Sequence, residues 1–340
     1  MDELAKALVL SDEELAGARR AEAMGLPLRI TPYYLGLVDR TDPRCPIRLQ
    51  VVPHRDEAAE SPGDLVDPLG EEVHTVAPHL VQRYPDRVLL LATDRCAIYC
   101  RFCTRSRLVG QGGGATPLAE LEPAFRFIAE HPEIRDVIVS GGDPLAMATP
   151  RLVALLARIR RIPTVETIRL ATRVPVALPS RITVELVKAL RPFGPIWVMT
   201  HFNHPKELTA AAIRGLARLV DGGLPVNNQS VLLRGVNDDA ATLETLFRGL
   251  VRARVRPYYL LQMDPVRGSA HLRTPLATGI AIMERLQGRV AGIALPKLIV
   301  DTPGGLGKVP VGPEYVVARE PGRTTLRTHR GALVDYLDPP

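Results

Sequence analysis

From residue 85 onward, short runs of aliphatic and β-branched residues alternate with longer amphipathic stretches. The apolar runs predict six strands, over residues 87–92, 136–139, 167–171, 196–200, 225–232 and 256–261. The amphipathic stretches predict helices over residues 117–130, 150–160, 180–190, 206–220, 239–252 and 276–288. Strands and helices in regular alternation are typical of parallel strands joined by helical crossovers. The pattern therefore predicts an α/β fold, a partial, TIM-like (β/α)6 barrel.

The two ends of the chain have different patterns. Residues 1–84 are rich in Pro and Asp, and Ser11 followed by Glu14 is typical of a helix start, so we expect an N-terminal helical cap. Residues 85–295 form the predicted barrel. Residues 296–340 predict a separate C-terminal segment, with a strand-like run over 297–300, a glycine-rich turn and an irregular tail.

Composition and charge narrow the possible partners. The 340-residue chain has a net charge of +6, but only five of its 43 basic residues are Lys, and the Arg are spread along the sequence. This spread favours small anionic ligands over nucleic acid, which we do not expect as a partner. An early acidic pair stands where a signal peptide would begin, and no apolar run reaches the roughly 18 residues of a membrane span. We therefore expect a cytoplasmic protein that does not bind membranes.

Three of the four cysteines, Cys96, Cys100 and Cys103, form a C-x3-C-x2-C run directly after the first predicted barrel strand. A structural disulfide among them would leave an odd thiol and a strained loop, so a metal in a reducing compartment is favoured. Three thiolates can hold three irons of a [4Fe–4S] cluster and leave the fourth iron open to a ligand. A zinc site is the alternative, but it requires a fourth Cys or His at matching spacing, and Cys45 lies in the predicted cap.

Other chemically active residues also follow predicted strands, which is where the active sites of such barrels lie. The residues that follow the second, third, fourth and sixth strands are, in order, Ser140-Gly141-Gly142-Asp143, Thr172-Arg173, His201 and Asp264. The carboxyl ends of parallel strands share one edge of the sheet. These residues are therefore expected to lie near the cysteines.

Lys308 closes a glycine-rich turn over residues 301–308. Glycine lets the backbone approach a ligand closely, and a lysine amine forms a Schiff base with an aldehyde, as pyridoxal phosphate sites require. The alternative is a flexible turn with a solvated lysine, and the spacing alone does not decide between the two.

The cysteine run resembles the signature of radical S-adenosylmethionine enzymes, and segment 140–144 resembles the second motif of that superfamily. Residues 40–312 as a whole resemble lysine 2,3-aminomutase. The segments that carry this resemblance stand in the family's order, at residues 83–89, 200–205, 228–233 and 303–308. The resemblance implies a radical S-adenosylmethionine barrel that also holds pyridoxal 5′-phosphate (PLP).

The resemblance also implies roles by motif position. The cluster ligands are Cys96, Cys100 and Cys103, and the residues on the S-adenosylmethionine side are Ser140, Gly141, Gly142, Asp143, Thr172, Arg173 and His201. The PLP residues are Lys308 at the Schiff base, Arg83 and Arg87 at the phosphate, and Gln229. The substrate residues are Arg105 at the α-carboxylate and the pair Asp264 and Asp301 at the distant ammonium of lysine. Glutamate-selective relatives lack this acidic pair, because it would repel a substrate carboxylate.

The activity implied is that of an isomerase, which moves the α-amino group of L-lysine to C3 by means of a 5′-deoxyadenosyl radical and PLP. An external one-electron donor such as flavodoxin or ferredoxin would be required. The alternatives are the same reaction on arginine, ornithine, glutamate or alanine, and the aminomutase branch associated with elongation factor P. A radical enzyme that modifies RNA or protein, or an iron–sulfur electron carrier, would belong to a different class.

Two departures from the best-known members of the family affect the expected assembly. The sequence ends at residue 340 without their C-terminal cysteines, and Asp239 stands where they have an isolated cysteine. The zinc site that those cysteines build between subunits is therefore not expected. A homo-oligomer remains possible.

Overall fold

The computed structural model describes residues 2–23, 28–59 and 61–339. Its α-helices are α1 (Asp2–Ala7), α2 (Asp12–Ala23), α3 (Pro32–Leu35), α4 (Leu118–Glu130), α5 (Thr149–Arg160), α6 (Val174–Ala177), α7 (Val184–Leu190), α8 (Ala210–Asp221), α9 (Ala240–Arg252) and α10 (Leu276–Leu286). Its strands are β1 (Thr75–Ala77), β2 (Leu80–Tyr84), β3 (Arg87–Thr93), β4 (Asp136–Gly141), β5 (Thr167–Ala171), β6 (Ile196–Thr200), β7 (Val226–Leu232), β8 (Arg256–Gln262), β9 (Lys297–Thr302), β10 (Gly307–Val311), β11 (Val316–Glu320), β12 (Arg323–Arg327) and β13 (Leu333–Leu337). In this part of the chain, no helix has both the length and the apolar character needed to cross a membrane.

Strands β1 to β10 form one sheet in sequence order. Strands β3 to β9 run parallel to one another, whereas β1 and β2 at one edge and β10 at the other pair antiparallel. The six strands predicted for the barrel are all present, with helices between them, and β9 adds a seventh parallel strand. The α/β class and the partial barrel are therefore confirmed.

The two edges of this sheet meet through side chains of β2. The backbone N–H of Lys308 in β10 donates a hydrogen bond of 2.8 Å to the Tyr84 hydroxyl. Arg83 forms an ion pair of 3.2 Å with Asp301 in β9. Within the described residues, no backbone ladder joins β1 to β10. The sheet is thus an incomplete barrel that side chains hold closed at the end where Lys308 lies.

Helix α9 illustrates how the helices cover the sheet. Asp239 caps its start, because the carboxylate accepts a 2.9 Å hydrogen bond from the Thr242 N–H. Apolar residues then recur at helical spacing and are completely buried, at Leu243, Leu246, Phe247 and Leu250. Burying each such side chain stabilises the fold by about 2 kcal/mol. Asp239 therefore has a capping role in this chain.

The predictions for the two ends of the chain were incomplete. Ser11 and Glu14 do form the reciprocal cap of α2, but the predicted helical cap, residues 1–84, also contains β1 and β2. The tail predicted as irregular forms an antiparallel sheet of β11, β12 and β13. Residues of β11 and β13 are exposed throughout, so these strands have no buried face and lack the alternating pattern that reveals a strand.

Candidate active site

The three clustered cysteines lie on the loop between β3 and α4, at the carboxyl end of the first parallel strand. All three are free and only partly exposed, and they line a cavity of about 280 Å³. Phe102, beside the last of them, is 5% exposed and packs with Val231, Leu233 and Met263. The loop is therefore shielded by a small apolar cluster of its own.

The thiols of this loop suit a metal cluster. Burial raises the pKa of Cys103 to about 11 and raises that of Cys96 further, so binding a metal there would release protons. Across the described residues, no three Cys, His, Asp or Glu side chains converge on a single metal ion. A cubane cluster has a different requirement, because each thiolate binds a different iron at its own corner.

The glycines at the end of β4 pack directly against the backbone next to the cysteine loop. Gly141 has φ +104°, and a Cβ there would overlap the Thr93 carbonyl oxygen. A Cβ on Gly142 would overlap the Arg95 carbonyl oxygen, one residue before Cys96. Both positions therefore require glycine, and the requirement holds the end of β4 against the cysteine loop.

Asp143 ties this turn to the end of β5. Its carboxylate accepts hydrogen bonds from the Thr172 hydroxyl at 2.6 Å and from the Arg173 N–H at 2.7 Å. Burial raises the pKa of Asp143, although these hydrogen bonds act in the opposite direction. The residues predicted for the S-adenosylmethionine side at β4 and β5 therefore form one connected unit.

Arg173 links that unit to the cluster loop. Its Nη1 lies 2.8 Å from Cys100 Sγ, and its Nη2 lies 2.9 Å from Glu207 Oε1 and 3.2 Å from the Tyr34 hydroxyl. Gln50 accepts a further hydrogen bond from the same Nη2. The Nε atom is buried and has no partner within the described residues, so a donor remains for a ligand with an acceptor group.

His201 lies at the end of β6, with its ring centroid 6.2 Å from that of Phe102. Burial, together with the nearby charge of Arg173, lowers the pKa of His201 to about 3. The imidazole is therefore neutral at physiological pH. His201 is thus placed beside the cluster loop, as its position after the fourth predicted strand suggested.

The second part of the site surrounds Lys308. Lys308 in β10 is the direct antiparallel partner of Asp301 in β9, which places both side chains on one face, and the two form an ion pair. The connecting turn holds Gly304 at φ +75° and Gly305 at φ +77°, a region that other residues rarely adopt. The turn geometry therefore places the Lys308 amine against Asp301, with 28% of the side chain exposed, instead of leaving it free in solvent.

Arg83 and Arg87 flank Tyr84 on the opposite edge of the sheet. Arg83 donates to both carboxylate oxygens of Asp301, at 3.2 and 3.3 Å, and Arg87 stacks over the Tyr84 ring at 3.6 Å. Lys308 and Arg83 share Asp301, whereas Arg87 pairs with Asp86 at 2.7 Å. An amine close to a guanidinium suits an anionic aldehyde such as PLP. Gln229, in β7, is half-buried. The PLP roles of these residues stay predictions.

Asp264 follows β8 and lies close to this group. Burial and the neighbouring charge of Asp301 raise its pKa to about 7, while Lys308 and Arg83 act in the opposite direction. Burial acts to raise the pKa of Asp301, but the charges and hydrogen bonds of Lys308 and Arg83 together hold it below its usual value. Among the residues the structure describes, no side chain forms an ion pair or hydrogen bond with the Asp264 carboxylate. Asp264 is therefore the member of the acidic pair that has no direct cationic partner within the described residues.

Arg105, two residues past the last cysteine, is held by an acidic residue that sequence reasoning missed. Its Nη2 lies 2.7 Å from Glu71 Oε1, and its Nη1 lies 3.3 Å from Ser140 Oγ. Glu71 joins Tyr34, Gln50 and Glu207 as buried partners of site residues that no motif indicated. A buried guanidinium signals that such partners must exist, but not where in the chain they lie.

Comparison with known families agrees with this arrangement. Residues 90–246 match the family model described as Radical SAM superfamily, and residues 283–340 match the one described as Lysine-2,3-aminomutase. L-lysine 2,3-aminomutase of Fusobacterium nucleatum is 46% identical over 100% of this chain and 80% of its own length. The enzyme of the same name from Clostridium subterminale is 44% identical over 100% of this chain and 81% of its own.

A third relative carries a different name. Glutamate 2,3-aminomutase of Clostridioides difficile is 38% identical over 100% of this chain and 80% of its own length. Proteins aligned along the whole chain at this level share its family, whichever amino acid they act on. The chain therefore belongs to the lysine 2,3-aminomutase family of radical S-adenosylmethionine enzymes.

Proposed function

We propose that this enzyme moves the α-amino group of L-lysine to C3, which produces β-lysine. The family's cofactors are a [4Fe–4S] cluster, S-adenosylmethionine and PLP, which together supply a 5′-deoxyadenosyl radical and an aldehyde that carries the migrating nitrogen. The observation that carries the substrate assignment is the acidic pair, Asp264 and Asp301, beside Lys308. Two carboxylates in a partly buried pocket favour a substrate with a second ammonium group.

The protein's own residues bind, orient and shield. Cys96, Cys100 and Cys103 would hold the cluster, with Phe102 and its apolar neighbours keeping water away. The connected unit at the ends of β4 and β5 would fix S-adenosylmethionine beside it. Holding the reacting carbon at a fixed separation from the radical source is the main contribution of such a scaffold to the rate.

Asp301 is suited to exchange one cation for another. In the protein as described, its carboxylate pairs with the Lys308 ammonium and with Arg83. If Lys308 holds PLP, its nitrogen would not be free to pair with Asp301 as it does here. The ε-ammonium of a bound lysine would restore the charge balance for both Asp301 and Asp264.

The test is anaerobic reconstitution with iron, sulfide, PLP and S-adenosylmethionine, followed by product analysis with lysine, arginine, ornithine, alanine and glutamate offered separately. We expect a β-isomer from lysine at the highest kcat/KM. A β-isomer from alanine or glutamate in its place would contradict the role of the acidic pair. A preference for arginine or ornithine would agree with the proposed role of Asp264 and Asp301 in binding a distant cation, but it would contradict lysine as the substrate.

A matched variant separates substrate recognition from radical chemistry. Asp264→Asn keeps the size of the side chain and removes its charge, so lysine turnover should fall while reductive cleavage of S-adenosylmethionine continues. Cleavage of S-adenosylmethionine by the reduced protein would also exclude a simple electron carrier. Borohydride reduction and peptide mapping should locate the pyridoxyl group on Lys308, a result that an RNA-modifying enzyme would not give.

The wider setting of the reaction is also proposed. A one-electron donor is required to reduce the cluster, and a carrier protein such as flavodoxin or ferredoxin would supply it. Free thiols at all four cysteines fit a reducing compartment such as the cytoplasm. A homo-oligomer is compatible with this electron donor and with this compartment.

A further inference from the structure

A segment of the predicted helical cap lies between the two parts of the site. Residues 67–72, which read Asp-Pro-Leu-Gly-Glu-Glu, precede β1 and contact the turn that carries Lys308. The N–H of Gly304 donates to the Pro68 carbonyl at 3.2 Å, and Arg83 donates to the Leu69 carbonyl at 3.3 Å. Gly70 has φ +60°, and a Cβ there would lie 2.6 Å from the Gly304 carbonyl oxygen. The segment and the turn are therefore packed backbone against backbone.

The opposite side of segment 67–72 holds arginines of the cysteine loop. Glu71 accepts from Arg105 Nε at 2.8 and 3.1 Å and from Arg105 Nη2 at 2.7 Å. Arg107 pairs with Asp67 at 3.0 Å and reaches Glu71 at 3.5 Å. The side chain of Glu71 is only 4% exposed, so water does not replace these contacts. One short segment thus connects the Arg105 side of the site to the Lys308 side.

The contact between Glu71 and Arg105 uses only one edge of the guanidinium. A guanidinium has five N–H groups, and a carboxylate can bind bidentately along the Nε–Nη2 side or across the outer Nη1–Nη2 edge. Glu71 occupies the Nε–Nη2 side. The outer edge keeps an N–H on each nitrogen, and its Nη1 lies 3.3 Å from Ser140 Oγ. A second carboxylate could therefore bind across that edge.

We propose that Glu71 is a positioning residue for recognition of the substrate α-carboxylate. It holds the Arg105 guanidinium by its side so that the outer edge is presented to the substrate, a role that rests on the assignment of Arg105 in the proposed function. Arg107 supports the arrangement because Glu71 pairs with both Arg105 and Arg107. The single Glu71 carboxylate is shared between two guanidiniums, so it does not fully neutralise Arg105, which can still attract a substrate carboxylate. Segment 67–72 thereby sets the position of the carboxylate relative to the Lys308 turn.

The experiment compares lysine with 1,5-diaminopentane, which is lysine without its α-carboxylate. In Glu71→Gln, the KM for lysine should rise about tenfold or more, as expected when a charge-assisted buried contact is lost, with a smaller change in kcat. The inhibition constant of 1,5-diaminopentane as a competitive inhibitor should stay within about twofold of the wild-type value, because this compound has no carboxylate for Arg105 to bind. The matched control is Glu72→Gln, since the Glu72 side chain is 74% exposed and, among the described residues, pairs with Arg107 alone. The KM for lysine and the inhibition constant of 1,5-diaminopentane should both stay at their wild-type values.

Equal weakening of lysine and 1,5-diaminopentane in Glu71→Gln would overturn the inference, because it would indicate a general loss of structure. Arg105→Gln separates this failure from that of the proposed function. If Arg105→Gln leaves the preference for lysine intact, the assignment of Arg105 is wrong. If it removes the preference and Glu71→Gln does not, only the role of Glu71 is wrong.

Glu71→Asp keeps the experiment decisive if the glutamine variant does not fold. Aspartate retains the charge and withdraws it by one methylene. A rise in the KM for lysine, with no change in the inhibition constant of 1,5-diaminopentane, supports the positioning role. Where both variants fold, the rise should be smaller in Glu71→Asp than in Glu71→Gln. The same loss for both compounds contradicts it.

Discussion

The cysteine side and the lysine side of this active site are built differently. On the cysteine side, the Arg173 guanidinium is buried and bonded to Cys100, Glu207 and Tyr34 within the protein. On the lysine side, Lys308 is 28% exposed and shares Asp301 with Arg83, while Asp264 has a pKa raised to about 7 by burial and by Asp301. The first arrangement is largely complete before ligands bind, whereas the second must exchange partners.

This difference follows from what each side has to do. A metal cluster and its ligand need fixed donors, and a buried guanidinium held by several hydrogen bonds, such as that of Arg173, is rigid. A lysine that becomes covalently engaged must leave its ion pair, so the pair has to be partly solvated and replaceable. We therefore expect substitutions on the cysteine side to affect structure as well as chemistry, and those on the lysine side to affect chemistry more than stability.

The largest effect should come from the cysteine side. Cys96→Ala removes one of three thiolates, so we expect loss of the iron–sulfur cluster and of all turnover, measured by iron and sulfide content and by product formation. PLP binding to Lys308 should persist, since that side has its own contacts. The control is Cys45→Ala, because Cys45 is buried away from the site and its thiol accepts the Asp39 N–H at 3.3 Å. A variant at position 96 with full cluster content would refute the ligand assignment.

On the lysine side, Lys308→Ala should abolish aminomutase activity and leave the cluster intact. The reason is that the amine provides the covalent attachment for PLP, whereas the cluster loop does not depend on it. The measurements are the visible absorbance of bound PLP, the iron content and reductive cleavage of S-adenosylmethionine. Lys297→Ala, at the exposed start of β9, is the matched control and should keep all three. Loss of the cluster in Lys308→Ala would show that the two sides are not independent.

A smaller effect, on folding stability, compares the rigidity of the two sides. Glu207 is fully buried and serves Arg173 together with the N–H groups of Asn203 and His204. Glu207→Ala leaves a buried charge unpaired, so the free energy of unfolding should fall by about 3 kcal/mol. Asp301→Asn should cost less, because asparagine can still accept a hydrogen bond and because the partners Lys308 and Arg83 are both partly exposed.

Urea unfolding of the purified variants measures both changes in stability. The control is Glu244→Ala, which removes an exposed pair with Arg248 on α9 and should cost less than about 0.5 kcal/mol. If Asp301→Asn destabilises the protein as much as Glu207→Ala does, the two sides are equally rigid and the contrast between them is wrong.

The same contrast explains how much of the molecule could be predicted from sequence. Strands β3 to β8 were predicted because each is an apolar run between amphipathic helices. Strands β1 and β2 were missed because they are short, irregular in register and largely half-exposed, so that no period of two stands out. The seventh parallel strand was recognised as strand-like at 297–300 but not as part of the barrel.

Site residues were predictable where the chemistry is local. The cysteine run, the Gly141-Gly142 turn and the turn before Lys308 each carry their information within a few residues. Glu71 lies 34 residues from Arg105, and Gln50 lies 123 residues from Arg173. A buried guanidinium requires acceptors, but only the fold determines which distant acid or amide provides them.

The smallest effect should be a pH dependence that belongs to the lysine side alone. In the protein without ligands, burial and the charge of Asp301 raise the pKa of Asp264 to about 7, although Lys308 and Arg83 act in the opposite direction. A substrate ammonium favours the ionised carboxylate, so binding lysine below pH 7 must release a proton from Asp264. The KM for lysine should therefore rise as the pH falls through 7, approaching about tenfold per pH unit, whereas cleavage of S-adenosylmethionine should change little.

Asp264→Asn should raise the KM for lysine at pH 8 and flatten its dependence on pH, because an amide does not titrate in this range. The direction in which the KM for lysine changes with pH identifies the group that titrates. A raised carboxyl pKa weakens cation binding toward acid pH, whereas titration of the lysine α-ammonium would act at higher pH. The folded protein without ligands should show the opposite trend, since a carboxyl whose pKa is raised by folding stabilises the fold at low pH and loses that contribution as the pH passes 7. A profile that persists unchanged in Asp264→Asn would assign the proton to another group and remove the argument that this side of the site is designed to accept a cation.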